Sequence, residues 1–448
     1  MEKLRIAVIP LVRSTFDVNE GTRVFKEQIN ILQNIDTNTD WIFPTSTIEY
    51  VENLKSFYRT IQKEPVDGII LLSATFHLGD LALHISRDFP TVPIMCWAVP
   101  EPPYNGGRVR LNSLVGAHLD FSNLYRAGRN DLIFAYGYAN DPDFSKKLLN
   151  WLMALRAIKT LKNCKIGLLG GRARSFVNVD VYEPELYKEL GVLVEPILLE
   201  ELFNFSVDKE ELENEIQKYT NLYKLVASLD KEKLEKVARL KIMLEKLYKI
   251  SKVHALAIRC WPEFANYYGI SPCAAMSSNM AEGRIMACEG DVLGALTMVI
   301  FKAIGCEEFY LADISQIFET GHLLLWHCGV AAHNLWDQRS ERHLDTYFAG
   351  GKGVTAGFVL KPGTVTLARL DYIRNHWILF VYETEAIQTD QELKGTYVKV
   401  AAKNPVKFVE SLIEKGFAHH IVMAYGSYSS TLKTLAQLKG WGVYDSNC

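Results

Sequence analysis

Residues 67–100 read DGIILLSATFHLGDLALHISRDFPTVPIMCWAVP, and the alternation inside this stretch decides the fold. Its two apolar runs, DGIILLSATF and TVPIMCWAVP, are short and β-rich, and ISRDFP closes a helix between them. Strands without an exposed polar face, joined through a helix, belong to a parallel sheet covered on both sides. Working upstream, LRIAVIPLV (4–12) is a further strand of this kind and EGTRVFKEQINILQNI (20–35) an amphipathic helix. Downstream, the helix SKKLLNWLMALRAIKTLKN (145–163) leads into CKIGLLGGRARSF (164–176), which reads as strand, glycine turn and helix. A strand-like VLVEPILL (192–199) follows, then a charged helical run from Lys209 to about Lys252, and VHALAIRCWPEF (253–264) opens the last strand–helix alternation.

The pattern changes after about Asp337. Residues 351–387, GKGVTAGFVLKPGTVTLARLDYIRNHWILFVYETEAI, are rich in β-branched residues and have no helical period, which predicts antiparallel strands in a small barrel or sandwich. Terminal helices follow in VKFVESLIEKGF (406–417) and SSTLKTLAQLKGW (429–441). The expected architecture is α/β: two doubly wound α/β domains, residues 1–160 and 161–337, then a β-rich, barrel-like domain, residues 338–448.

A chain of 448 residues is more than one hydrophobic core normally serves. Net charge is −3, with no basic block, so neither nucleic acid nor an anionic membrane is the expected partner. A small molecule, or another protein, is. The N-terminal apolar run reads as a first strand rather than a signal peptide, and no stretch reaches the roughly 18 apolar residues of a membrane helix. Eight cysteines, at positions 96, 164, 260, 273, 288, 306, 328 and 448, include no C-x-x-C pair. They read as buried reduced thiols of a cytoplasmic protein, since a zinc site would want closer ligand pairs.

Ligand sites of open parallel sheets lie beyond the carboxyl ends of the strands, so acids and histidines at element ends are the candidates. Glu289 and Asp291 stand in MACEGDVLGALTMVIFKAI (286–304), before a strongly apolar segment. Acids in a first helical turn also simply complement the helix dipole. Asp313 follows the apolar FYLA in EEFYLADISQIF (307–318), where a carboxylate can equally begin a turn. His419 and His420 are adjacent in KGFAHHIVMAYG (415–426), and LLLWHCGVAAH (323–333) adds His327 and His333. Two carboxylates with one or two imidazoles form a set for a hard divalent cation, Mn²⁺ or Mg²⁺ before zinc. The GLLGGRARSF turn lacks both G-x-G-x-x-G spacing and a Walker lysine, so a nucleotide site is not expected, although Arg172 and Arg174 can face an anionic or hydroxyl-rich substrate. No G-x-S-x-G elbow supports a serine hydrolase.

At these residues the sequence resembles the L-fucose isomerase / L-arabinose isomerase superfamily. CEGDVLGALTM is similar to the segment carrying the metal-binding glutamate of fucose isomerase, here Glu289, and LADISQ to the one carrying its second carboxylate, here Asp313. Twenty-four positions separate the two, as the fucose isomerase pattern has it. GFAHHIVMAYG resembles the C-terminal histidine motif and implies His420 as ligand with His419 its neighbour. CWAVPEP resembles a segment whose tryptophan, here Trp97, caps the site of an adjacent subunit; the alternative places Trp97 in a core. VTAGFVLKPGTVTLARL resembles the group's β-rich C-terminal domain. Two departures stand out. The chain is shorter than the fucose isomerases, so the loops that shape the pocket are missing or different. His327 stands where arabinose isomerase, but not fucose isomerase, has a metal-binding histidine.

The resemblance implies aldose–ketose isomerisation of a free sugar through a cis-enediol(ate), with Glu289 and Asp313 as the catalytic pair. The metal would be Mn²⁺, or Mg²⁺ or Co²⁺, held by Glu289, Asp313, His420 and, less firmly assigned, His327. The expected substrate is like L-fucose or D-arabinose, or is the sulfosugar sulfoquinovose, which the shorter members of the group isomerise. A sulfonate calls for arginine, and Arg13, Arg172, Arg174 and Arg259 are the candidates. The implied assembly is a homo-oligomer, hexameric or trimer-based. A non-catalytic sugar-binding module is the alternative from another class.

Overall fold

The computed structural model describes residues 2–62 and 64–445; Cys448 lies outside them. The protein is mixed α/β, with two parallel sheets and a large, mainly antiparallel one. It divides into two compact units, Met1–Lys159 with Ser430–Trp441, and Thr160–Ser429 with Gly442–Cys448.

The first unit is built on a five-stranded parallel sheet in the order Thr39–Ile42, Leu4–Leu11, Gly68–Ser73, Ile94–Ala98, Leu132–Tyr136. Every residue of Gly68–Ser73 and Ile94–Ala98 is buried, which is why these strands read as unbroken apolar runs. Trp97 belongs to this core. It is fully buried, donates its indole N–H to the Gly137 carbonyl at 2.8 Å and packs on Phe144 at 4.6 Å between ring centroids. Its ring therefore offers no free face for a sugar, and the capping role expected for it gives way to the core alternative.

The second unit opens on a four-stranded parallel sheet, Ile285–Ala287, Ala255–Ile258, Lys165–Leu169 and Leu193–Ile197 in spatial order. Its other layer is a ten-stranded sheet. Within that sheet, His376–Ile387, Gly363–Ile373, His420–Tyr425, Phe309–Phe318, His322–His327 and Thr396–Ala401 pair antiparallel in this order. The register Ala386↔Val400 and Ile387↔Lys399 joins the last strand back to the first, so six strands close into a barrel. Closure removes the exposed edges that a long β-rich segment would otherwise present.

Three domains are expected from the sequence, with the β-rich one starting at residue 338. The barrel instead recruits Phe309–Phe318 and His322–His327, from before that position. The helix Val292–Ala303 explains why the rest stays together. All of its residues except Lys302 are buried, because it packs on the parallel sheet through Ala255–Ile258 and Ile285–Ala287 and on the barrel through Gly363–Ile373 and His420–Tyr425. A helix apolar all round has no solvent face to spare, and each buried Val, Leu, Ile, Met or Phe contributes roughly 1.5–3 kcal/mol.

Candidate metal centre

Glu289 sits beyond the carboxyl end of the parallel strand Ile285–Ala287, in the single turn Cys288–Gly290. Its backbone is left-handed, φ 64° and ψ 10°, an arrangement that costs a non-glycine residue about 1 kcal/mol or more. The next residue must be glycine. At Gly290, with φ 75°, a Cβ would stand 2.5 Å from the Gly171 carbonyl oxygen and 2.8 Å from Arg172 Cα. The amide of Ala173 donates to the Glu289 carbonyl at 2.9 Å. The glycine turn at 170–171 thus serves as a buttress for the Glu289 turn.

Asp313 and His420 stand side by side in the barrel wall. They are register partners on the antiparallel strands Phe309–Phe318 and His420–Tyr425, and Asp313 lies within its strand rather than at its end. His327 ends the neighbouring strand, and its ring stacks on that of His420 at 5.5 Å. Glu289 Oε2 is 3.4 Å from His420 Nε2, which is 3.8 Å from Asp313 Oδ1. The fold therefore brings all four sequence candidates into one site.

Three atoms there are buried without a hydrogen-bond partner among the described residues: Asp313 Oδ1, His327 Nε2 and His420 Nε2. Each such atom costs about 1–3 kcal/mol, so three in one place mark a site built to bond something else. Carboxylate oxygen with imidazole nitrogen is a donor set for a hard or borderline divalent cation.

From the sequence Asp291 is a candidate site acid with a helix-start role as the alternative. It fills the helix role: its carboxylate accepts from the Gly294 amide at 2.8 Å and caps Val292–Ala303. It is also fully buried, accepts from His420 Nδ1 at 2.9 Å and takes both Arg369 Nη1 (2.7 Å) and Nη2 (3.2 Å). Burial alone would raise its pKa, but the Arg369 charge and the His420 hydrogen bond hold it well below the usual carboxylate range. A proton held on Nδ1 leaves the lone pair of His420 on Nε2, the nitrogen facing Glu289 and Asp313. Arg369 in turn donates to Asp371 Oδ2 at 2.8 Å and to the His420 carbonyl at 3.2 Å.

His327 is held differently. Its Nδ1 accepts from the Cys328 amide at 2.9 Å and lies 3.2 Å from Cys328 Sγ. Burial lowers its pKa, but Cys328, Asp313 and Glu289 outweigh that and push it up to about 10. For Glu289, burial is outweighed by the His419 hydrogen bond and by His420 and His327, so its carboxyl stays below the ordinary value.

His419, expected as the neighbour of His420, and two residues not expected from the sequence, Trp261 and Asn178, complete the rim. Trp261 donates from Nε1 to Glu289 Oε1 at 3.3 Å. His419 Nε2 donates to Glu289 Oε2 at 3.2 Å, while Asn178 donates to His419 Nδ1 at 3.0 Å. Trp261 follows the end of the parallel strand Ala255–Ile258, the one signal that could have found it. Arg172 is half-buried, 3.6 Å from Asp180, and Arg174 is exposed. Arg259 pairs with Glu263 at 2.5 Å and keeps a buried Nε without a partner among the described residues. Arg13 lies in the first unit, half-buried, its amide donating to Thr75. His333 is away from the cluster, against Tyr223.

The profile of the L-fucose isomerase C-terminal domain matches residues 325–446, most of the barrel. Sulfoquinovose isomerase of Priestia megaterium is 29% identical over 444 residues, covering 98% of both chains. That of Alkalicoccus urumqiensis is 27% identical over 440 residues, covering 97% of this chain and 98% of its own. The chain is thus similar to the L-fucose isomerase / L-arabinose isomerase superfamily, through the domain profile at its C-terminus and through these relatives over nearly its whole length. L-arabinose isomerase of Geobacillus kaustophilus, 20% identical over 72% of this chain, marks its more distant side. The chain is an aldose–ketose isomerase, and the non-catalytic binding module falls away. No helix among its described residues is long and apolar enough to cross a membrane.

Proposed function

We propose that the isomerase is metal-dependent, that Glu289, Asp313 and His420 hold its divalent cation with His327 as a fourth donor, and that its substrate is a sulfosugar, sulfoquinovose going to sulfofructose. The observation that carries the metal reading is the convergence of unpartnered Asp313 Oδ1, His327 Nε2 and His420 Nε2 beside Glu289 Oε2. Mn²⁺ suits the mixed oxygen and imidazole set, with Mg²⁺ or Co²⁺ as substitutes. When bound, such an ion supplies Lewis acidity to the sugar oxygens.

The residues do the rest. Aldose–ketose conversion moves a proton between C2 and C1 and a second between the two oxygens. Glu289 and Asp313, approached from opposite sides by a planar enediol, pass those protons as general base and acid. Trp261 and His419 each hold one oxygen of Glu289, which keeps its carboxylate aimed and ionised. His327 engages the cation only when Nε2 is free of its proton, which requires Nδ1 to give up the Cys328 amide and carry the proton instead. The sulfonate preference is supported by the full-length relatives named for sulfoquinovose and by the buried Nε of Arg259, which has no partner among the described residues. The resemblance also supports a homo-oligomer, hexameric or trimer-based. The seven described cysteines, all free and buried, support a cytoplasmic setting.

The test is to strip the protein with chelator, restore Mn²⁺ and follow sulfoquinovose, L-fucose and D-arabinose by NMR in D₂O. Ketose formation from sulfoquinovose, dependent on the metal, is the expected result. Turnover of L-fucose or D-arabinose alone would overturn the sulfosugar assignment, and metal-independent turnover the metal reading. Glu289→Gln and Asp313→Asn should each lower kcat by at least about 100-fold, the span of a lost general base. Rates within a few-fold of wild type would remove both from the mechanism.

A further inference from the structure

A sugar offers two kinds of surface, hydroxyl groups that ask for polar partners and C–H groups that ask for an apolar plane. The candidate metal centre answers the first, and Trp97, buried in its core, cannot answer the second. Trp261 can. It stands three residues past the parallel strand Ala255–Ile258, half-buried, at the same sheet end as Glu289. Its indole Nε1 donates to Glu289 Oε1 at 3.3 Å. An indole N–H points outward in the plane of the ring, so the carboxylate stands at the ring's rim and the two faces look away to either side. Phe176 meets this ring in a T-shaped contact, with centroids 5.7 Å apart and planes at 73°. One such neighbour covers at most one face. Phe176 also lies 5.3 Å from the ring of His419, which holds the other Glu289 oxygen. Trp261, Phe176 and His419 thus form an aromatic rim around the Glu289 carboxylate.

We propose that the indole face of Trp261 is the platform on which the substrate packs its C–H groups, an inference that rests on the reading of Glu289 as a residue of the reaction. A sugar lying flat on this face has its edge beside the rim of the ring, where Glu289 Oε1 stands. The reacting carbons and the carboxylate are then held by one rigid side chain, which is the positioning that isomerisation needs. Tryptophan suits both tasks. Its ring brings a large apolar area at little cost in side-chain freedom, and its N–H holds a charged neighbour at the same time. Phenylalanine keeps an aromatic face without the N–H, and leucine has neither. Two substitutions therefore separate the contact with the sugar from the contact with Glu289.

Trp261→Phe and Trp261→Leu are compared with the wild type on whichever of sulfoquinovose, L-fucose and D-arabinose the wild type turns over, so the result does not hang on the sulfosugar assignment. Trp261→Phe should keep KM within about 3-fold and lower kcat about 10-fold, the effect of removing one hydrogen bond to a charged group. Trp261→Leu should lower kcat to the same extent and also raise KM about 10-fold, through loss of the aromatic contact. An unchanged KM in Trp261→Leu would overturn the platform and leave Trp261 as a prop for Glu289. A KM raised equally in both variants would overturn it as well, because the N–H alone would then account for binding. Tryptophan emission gives a readout apart from turnover, and it decides the matter should Trp261→Leu fail to fold. The same sugar, added to the Mg²⁺-loaded full chain, should shift the emission of the wild type and leave that of Trp261→Phe unchanged. An equal response in the two proteins, or none in the wild type, would overturn the platform. Failure of the metal reading shows elsewhere, as turnover without metal, and leaves the comparison of the two variants standing.

Discussion

Asp291 carries two loads that pull on the same carboxylate. As a cap it satisfies a helix amide, and as the partner of His420 it fixes which ring nitrogen carries the proton. Arg369 keeps it ionised although it is fully buried. Asp291→Asn tests the second load, because an amide can still accept from Gly294 but places N–H groups against Nδ1 or the guanidinium. The expected result is a 10–100-fold loss of Mn²⁺ affinity by calorimetric titration, the usual effect of removing the group that orients a ligand histidine. A stability loss of about 3–5 kcal/mol should accompany it, since Arg369 is left with Asp371 alone. Unchanged affinity would reduce Asp291 to a cap. Half of this was legible in the sequence: an acid before VLGALTM announces a helix start through local chemistry. Its pairing with residues 369 and 420 is long-range and leaves no period or spacing to read.

Among the elements, the helix Lys231–Ser251 buries one charge, Lys241, within an otherwise apolar face. Lys241, 3% exposed, pairs with Glu215, Glu245 and Glu282, and Glu245 also meets Lys249 and Arg284. Burial would raise the Glu245 pKa, but Lys249, Lys241 and Arg284 together lower it from 4.5 to about 2. A carboxyl depressed in the folded state contributes stability that is fully present above its unfolded value, about 4.5, and is lost as pH falls toward 2. The contribution is at most about 3 kcal/mol. Glu245→Gln should therefore lower the urea midpoint at pH 7 and leave a flatter acid limb between pH 4.5 and 2 than wild type. Parallel limbs in the two proteins would show that the cluster contributes nothing by charge. Elements of this length were legible as helix because their charges repeat at helical spacing. The short run FYLADISQIF was harder, since ten residues of strand do not say which sheet will take them. The barrel does, and it moves Asp313 away from the parallel sheet that carries Glu289.

For the whole molecule, the parallel sheets and the barrel-like part followed from the sequence because fully buried strands and β-branched runs announce themselves locally. How segments group into units did not, because that depends on which helix fills the space between layers. The consequence is testable through the proposed cation. Its donors, Glu289, Asp313, His327 and His420, all belong to the unit Thr160–Ser429, so binding free energy is delivered to that unit. A ligand at 100 times its Kd stabilises what it binds by about 2.7 kcal/mol, equivalent to about 100-fold slower opening-limited hydrogen exchange. Mn²⁺ at that level should slow exchange by about this factor in peptides covering His420–Tyr425 and Phe309–Phe318, whose register joins two of the donors. Peptides covering Gly68–Ser73 and Ile94–Ala98 should exchange at the same rate with and without the metal. Protection of the first unit alone would place the cation elsewhere. Equal protection of both would mean that the two units open together, and the metal would then be read out by the chain as one cooperative body.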